Sequence, residues 1–412
     1  MILFNSCRII ALGGGKMKLI SRDAYLEELA EVQGTPDIKV ITGVRRSGKS
    51  KLMEAFAAKL KTENPDINII HMNLMLPENE EFLEYHALYD HVNSLFISGT
   101  ENVLMIDEVQ MCNGFEKAII GFHTSEKYDI YITGSNAFLL SSDLATLFTG
   151  RTFRIEVYPF SFTEFCKYFE LTDLQPALDR YILEGGMAGS YVYKNEPLKL
   201  SYIRDVYNTL ILRDIVQKFK IRKPALIERV SDFLMDNISN ITSARGITES
   251  ISRGETPASN VTVTAYMKYL CNAYAFYKVR KFDVRGKKYL SSHDKYYLCD
   301  HSFRYAFHGK RNMDYGRVLE NIVAIELLRR GYEIYAGALY RKEIDFVAIK
   351  QSEKIYIQVS DNISAKETLD RELAPLRAIK DAYPKMLLAR TRNSEYDNEG
   401  IHIVDIAQWL MG

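Results

Sequence analysis

The sequence predicts an α/β protein: a doubly wound parallel-sheet domain, then a helical module ending in a β-hairpin, then a smaller α/β domain. Three observations predict it. Short β-branched strands alternate with one-faced helices up to the run RIEVYP at 154–159. From about Leu174 the pattern turns helical. After Asp314 helix and strand signals alternate again.

The run IKVITG (38–43) is β-branched and ends in glycine, the signature of a buried parallel strand. A helix is expected from Lys49 to Lys61, where Leu52, Met53, Phe56, Ala57 and Leu60 fall on one face. INIIHMN (67–73), VLMID (103–107), IYITG (130–134) and RIEVYP (154–159) supply four more strands. Residues 202–220, 224–238 and 261–273 read as helices. FYKVRKFDV, RGKK and YYLCD then read as a hairpin turning near Arg285 and Gly286. Helices followed by a hairpin have the outline of a winged helix-turn-helix. In the last module Val318, Leu319, Ile322, Val323 and Leu327 share one face of a helix over 316–330, which Gly331 caps. EIYAG, EIDFVAIK and KIYIQVS give three strands, and a helix near 367–380 and the strand KMLLAR close the module. The expected domains are 17–195, 196–310 and 311–412. Met17 opens a convincing polar sequence, so residues 1–16 are expected to be an extension, either a disordered lead-in or the product of an upstream start.

The loop after the first strand is GVRRSGKS, residues 43–50, which matches G-x-x-x-x-G-K-S between a strand and a helix. Gly43 and Gly48 let the backbone wrap closely, so that N–H groups, that of Ser47 among them, aim at phosphate oxygens. The helix N-terminus adds the positive end of its dipole. Lys49 is placed to neutralise the β- and γ-phosphates and Ser50 to offer a hydroxyl to Mg²⁺. Arg45 and Arg46 are exposed basic residues of the same loop, either catalytic or positioning. VLMIDE carries Asp107 and Glu108 to the C-terminal edge of the sheet, Asp107 for Mg²⁺ and Glu108 for the attacking water. The expected ligands are therefore ATP and Mg²⁺.

Composition bounds the rest. The chain has 412 residues, 47% hydrophobic and 26% charged, the balance of a soluble globular protein of several domains. No apolar run is long enough to span a bilayer, so no membrane partner is expected. Five scattered cysteines without a C-x-x-C pair exclude a disulfide framework or zinc ribbon and fit a reducing cytoplasm. Residues 201–310 hold 19 Lys and Arg against 10 Asp and Glu, within a chain whose net charge is zero. That basic middle either meets DNA through 261–288, or docks on the chain's own acidic neighbours. Lys278, Arg280, Lys281, Arg285, Lys287 and Lys288 crowd the expected hairpin, where phosphate contacts would be made. Tyr266, Tyr269, Tyr274 and Tyr277 are expected in the core rather than on bases.

The ordered segments SRDAYLEEL, GVRRSGKS, VLMIDEVQ, YITGSNAFLL, TGRTFRIEVYPFSFTEF, LEGGMAGSY and LRDIVQKFKIR together resemble a prokaryotic family of AAA+ ATPases. It neighbours the archaeal-ATPase and STAND groups. The resemblance covers residues 17–412. It implies an AAA+ P-loop domain, a winged helix and a restriction-endonuclease-like domain of unassigned role. It also implies ATP hydrolysis, with Asn136 or Ser135 sensing the γ-phosphate. Arg151 would be an arginine finger reaching a neighbouring subunit, and hence the chain a homo-oligomer. One departure is Ala188, where proline often follows Gly-Gly-hydrophobic.

The last module resembles the PD-(D/E)xK nuclease layout, in which a helix glutamate, a strand-end aspartate and an E-x-K strand converge on Mg²⁺. Glu320 and Asp345 match the first two positions. Gln358 stands where a carboxylate is expected and Ser360 where lysine is expected. A neutral amide is a weak ligand for a hard cation. Activity would require substitutes, such as Lys354, or Lys342 with Glu343, so the module is expected to keep the shape and not to cut.

Overall fold

The computed structural model describes residues 18–134, 148, 150–252, 258–286, 288–289, 293–309, 314–340 and 342–412. Packing divides them into two compact units. One comprises Leu19–Tyr158 with Gln217–Lys220; the other comprises Pro159–Val216 and Ile221–Gly412, with Lys18.

In the first unit, α1 (Asp23–Glu31) precedes β1 (Ile38–Thr42), α2 (Lys49–Glu63) and β2 (Asn68–Asn73). Then come α3 (Tyr85–Ser94), β3 (Asn102–Asp107), α4 (Phe115–Ser125), β4 (Asp129–Thr133) and β5 (Thr152–Glu156). The five strands lie in the order β2-β3-β4-β1-β5, and every pairing is parallel. This is the α/β parallel sheet that the strand runs predict. Both faces are covered, which is why β3 is apolar without interruption. Val103 and Met105 pack with Leu52, Met53 and Phe56 of α2, whereas Leu104 and Ile106 pack with Leu88 of α3 and Phe122 of α4. At the N-terminal edge Lys39 is fully buried on β1 and pairs with Asp129 at 2.5 Å.

In the second unit, α5 (Phe162–Phe169), α6 (Leu174–Glu184) and α7 (Glu196–Thr209, continued as a π-helix over Leu210–Gln217) come first. They are followed by α8 (Pro224–Asp236), α9 (Ala244–Ile251) and α10 (Asn260–Asn272). Next are β6 (Phe276–Val279), β7 (Lys281–Asp283), β8 (Lys288–Tyr289), β9 (Lys295–Leu298) and α11 (Ser302–His308). The chain ends with α12 (Tyr315–Arg329), β10 (Glu333–Leu339), β11 (Lys342–Lys350), β12 (Glu353–Ser360), α13 (Lys366–Arg377), β13 (Lys385–Ala389), β14 (Tyr396–Asn398), β15 (Ile401–Asp405) and α14 (Ile406–Met411).

Two sequence expectations about boundaries differ from this packing. Residues 159–195, assigned to the P-loop domain, pack with the C-terminal part. Gly186 N donates to Asp300 Oδ2 at 2.7 Å, and Thr163 Oγ1 donates to the Leu410 carbonyl at 3.0 Å. Gln175 Nε2 donates to Asp405 Oδ1 at 2.9 Å. The Gly-Gly motif belongs to this packing: a Cβ at Gly186 would lie 2.3 Å from the Phe160 carbonyl oxygen. The expected division at 310 is likewise crossed by a sheet. The hairpin tip joins the last module, because β7 pairs in parallel with β10 and β8 forms the edge of an eight-stranded sheet. Only β6 and β9 form the separate two-stranded ribbon. Of the four tyrosines expected in the core, Tyr266 and Tyr274 are buried, whereas Tyr269 and Tyr277 are half-buried. Among the described residues no helix is long and apolar enough to cross a membrane.

Candidate functional site

The site is set by register. Ile41 of β1 pairs with Thr133 of β4, and Ile106 of β3 pairs with Ile132 of β4. Asp107, Thr133 and the start of the glycine loop therefore end their strands at one level. β1 and β3 are two strands apart, roughly 10 Å. This is the carboxyl end of a doubly wound sheet, where such folds bind their ligands.

The loop itself is tightly determined. Gly43 has φ +138°, and a Cβ there would lie 2.1 Å from the Val157 carbonyl oxygen. Gly48 caps α2 at φ +99°, and Arg46 also has a positive φ of 66°. Lys49 is buried, and its ammonium donates to the carbonyls of Gly43 (3.0 Å) and Val44 (3.1 Å). Ser47 is buried too, and its hydroxyl has no hydrogen-bond partner among the described residues. A buried hydroxyl without a partner and an ammonium held by its own loop's carbonyls fit a loop built to surround phosphate. Ser50 is half-buried at the start of α2, Arg45 is half-buried and Arg46 is exposed.

Opposite the loop, Asp107 is buried and accepts from Thr133 Oγ1 and, at 3.1 Å, from Asn73 Nδ2. Thr133 Oγ1 in turn accepts from the Glu108 backbone N–H at 3.0 Å. Glu108 sits in the left-handed region, φ 55° and ψ 46°, where a non-glycine residue is uncommon. Its carboxylate accepts from Gln110 Nε2 at 2.5 Å. Asp107 therefore sits at the strand end between Thr133 and Asn73, and Glu108 is turned out of the strand with its carboxylate held by Gln110. Hard-cation donors are present in Ser50 and Asp107.

Gly43 to Ser50 follow β1, and Asp107 and Glu108 close β3, at the same edge of the sheet. The structure separates Arg151 from them. Arg151 is exposed just before β5, whose Thr152 pairs with Ile38 at the far end of β1, roughly 16 Å down the strand from Gly43. Its own chain's nucleotide loop is thus at the opposite edge, because a parallel neighbour of β1 must start where β1 starts. Asn136 and Ser135 lie outside the described residues.

The sequence left Arg22, Asn73, Gln110 and Thr133 unassigned. Arg22 is buried and clamps the loop from outside: Nη1 donates to the Ser47 carbonyl and Nη2 to the Tyr158 carbonyl, each at 2.9 Å. Its guanidinium stacks 4.5 Å from the Tyr25 ring centre, and Tyr25 OH accepts from Tyr158 N. The quoted SRDAYLEEL segment was the available signal, but spacing alone cannot say that its arginine folds back on the loop. Arg22→Ala is expected to lower stability by about 2–4 kcal/mol, since it removes two charge-assisted bonds to buried carbonyls. Arg22→Lys should restore only part of that, because a point donor cannot reach both carbonyls as a fork does. Denaturant melts of the three proteins check this, and an unchanged midpoint for Arg22→Ala would contradict the clamp.

In the second unit, Glu320 on α12, Asp345 on β11 and Gln358 on β12 also converge. Asp345 N donates to Gln358 Oε1 at 3.4 Å. The substitute lysines proposed from sequence do not join them: Lys354 pairs with Asp381 at 3.2 Å, and Lys342 donates to the Ala374 carbonyl. Instead Lys295, which lies in no motif of the sequence, is 2.8 Å from Glu320, 2.5 Å from Glu343 and 3.7 Å from Asp345. No group of His, Cys, Asp and Glu among the described residues is arranged to hold a metal ion. The module therefore does not fit a divalent metal in this arrangement. Burial pushes the Cys112 thiol up to about 12 and the Cys166 thiol to about 11, away from the reactive thiolate form.

Residues 35–166 match the family model described as an AAA domain, and residues 175–314 match a domain of unknown function, DUF8612. A protein of Haemophilus influenzae described as uncharacterized is 35% identical over 398 residues, covering 95% of this chain and 99% of the relative. An uncharacterized protein of Methanocaldococcus jannaschii is 28% identical over 95% of this chain and 88% of its own length. Among solved structures, a Walker-type ATPase of Pyrococcus abyssi is similar over 71% of this chain and 96% of its own, with 14% identity and a TM-score of 0.48. Sharing about a third of its residues with the Haemophilus influenzae protein along nearly the whole of both, this chain belongs to that protein's family, and its P-loop sheet lies in the segment that matches the AAA domain model.

Proposed function

We propose that the chain is a Mg²⁺-dependent ATPase that uses nucleotide turnover as a switch or motor. The observation that carries this reading is the level alignment of the glycine loop with the Asp107–Thr133–Glu108 bridge. Loop N–H groups and the Ser47 hydroxyl would surround the phosphates, and Lys49 would exchange its two loop carbonyls for phosphate oxygens. Ser50 and Asp107 would hold Mg²⁺, which when bound neutralises charge on the phosphate chain. Glu108, aimed by Gln110, orients a water toward the γ-phosphorus and accepts its proton. A bond forms from that water to phosphorus, the bond to the bridging oxygen breaks, and ADP and phosphate leave. Arg151 would act only in a neighbouring copy's site, so a trans role requires a homo-oligomer. Asn136 would act as the γ-phosphate sensor.

Phosphate release from MgATP by the purified full chain tests the reading. The expected result is turnover that needs Mg²⁺ and vanishes with Lys49→Ala; no release above that variant's level would refute it.

A second reading is a nucleotide-gated interaction protein with little turnover. It is favoured by the hairpin, whose basic residues are partly used within the chain. Lys278 pairs with Asp294 at 2.7 Å, Arg285 lies 5.2 Å from the Tyr340 ring centre, and β7 is stitched to β10. DNA contact through 261–288 would then fall to the remaining exposed cations. Fluorescence anisotropy with duplex DNA separates the two: affinity that falls steeply with salt supports a nucleic-acid-facing ATPase, and none at low salt supports the interaction protein. The nuclease-like layout at Glu320, Asp345 and Gln358 is expected to give no cleavage.

A further inference from the structure

Three carboxylates meet in the second unit, and their cation is part of the chain. Lys295 opens β9, whose four residues are all buried. Residues two apart on a strand share a face, so Lys295 and Tyr297 point the same way. Both donate to Glu320 Oε1, at 2.8 and 2.7 Å. The register is pinned by Asn321, the next residue of α12: it accepts from Leu298 N at 2.7 Å and donates to the Leu298 carbonyl at 3.0 Å. β11 supplies Glu343 and Asp345, again two apart on one face. Glu343 Oε1 lies 2.5 Å from the ammonium and Asp345 Oδ1 lies 3.7 Å from it, while Asp345 Oδ2 accepts from Val359 N at 2.9 Å. The third strand contributes only the neutral Gln358, which donates to Glu372 at 3.3 Å.

We propose that Lys295 is the built-in counter-cation of the Glu320–Glu343–Asp345 cluster, occupying the position that a divalent cation would need and so closing this module to metal. The ammonium lies within 3.7 Å of all three carboxylates and is almost fully buried, and a second cation within the same oxygens would face strong like-charge repulsion in a dry site. The electrostatics agree. Burial works against the ammonium, but the attraction of Glu320, Asp345 and Glu343 outweighs it and holds Lys295 above the usual lysine range. Burial, and then the charge of Glu320, push Asp345 upward, as expected where one ammonium serves three acids. This inference stands apart from the ATPase reading, since no residue in it belongs to the nucleotide loop.

The test uses Mn²⁺ alone as the probe, followed by electron paramagnetic resonance on the nucleotide-free full chain. Wild type and Asp345→Asn should bind Mn²⁺ equally; the asparagine keeps an acceptor for Val359 N. Lys295→Met should gain one Mn²⁺ site, weakened roughly ten-fold or more when Asp345→Asn is added. An Asp345-dependent Mn²⁺ site in the wild type would overturn the proposal, as would a folded Lys295→Met chain that gains none. If Lys295→Met does not fold, the comparison of wild type with Asp345→Asn decides alone.

Discussion

Glu108→Gln is expected to leave ATP binding intact and to lower turnover by about 10²- to 10⁴-fold, the range typical of losing a positioned general base. The change is nearly isosteric, and its surroundings show why binding should survive. The left-handed turn at residue 108 is held through the backbone, with Glu108 N donating to Thr133 Oγ1, and that bond does not involve the altered group. The amide oxygen of glutamine can still accept from Gln110 Nε2, so the side chain keeps its aim. What disappears is the ability to take a proton from water. Lys49, Ser50 and Asp107 are untouched. Fluorescent-nucleotide titration and steady-state phosphate release measure the two quantities separately. Turnover equal to wild type would remove Glu108 from the chemistry; loss of binding in parallel would make it a structural residue of the loop.

The second large effect is expected from Gly43→Ala, which should destabilise the P-loop unit by about 3 kcal/mol or more and abolish nucleotide binding. Two costs combine. The residue sits at φ +138°, where an L side chain is strained, and the added carbon would lie 2.1 Å from the Val157 carbonyl oxygen. That carbonyl cannot withdraw, because Val157 N is bonded to the Thr42 carbonyl at 2.8 Å and the next residue is held by Arg22 and Tyr25. Retreat of the loop instead would shift the Gly43 and Val44 carbonyls that hold Lys49. Gly34, also at positive φ but with nothing near its missing side chain, is the control: Gly34→Ala should cost about 1 kcal/mol. Denaturant melts and nucleotide titration of both variants decide the point. A Gly43→Ala protein with wild-type stability and affinity would show that the approach to Val157 is not a constraint.

The P-loop motif of the first unit was legible because it is local. GVRRSGKS places its glycines, lysine and serine within one turn of backbone, and VLMIDE places two acids at a strand end. Spacing along the chain is then nearly spacing in space. Arg22, Thr133 and Asn73 were not legible in the same way. Each reaches the site from a different element, and which carbonyl or carboxylate it meets depends on the register between parallel strands. Arg151 lies at the opposite edge of the sheet from its own chain's loop, so the role in a neighbouring subunit expected of it depends on assembly, which spacing along one chain does not carry.

The second unit makes the division clearest. By itself the sequence determined that a helix acid, a strand acid and a third strand would follow one another, and that the third strand carries Gln358 and Ser360 instead of an acid and a lysine. It also determined a basic hairpin between 276 and 300. Only the tertiary structure decided that this hairpin would hand its β7 strand to the last sheet and its Lys295 to the acid cluster. The physical reason is that a helix or strand declares its own face through its period, whereas an ion pair between residues 25 and 50 positions apart depends on how separately formed elements pack.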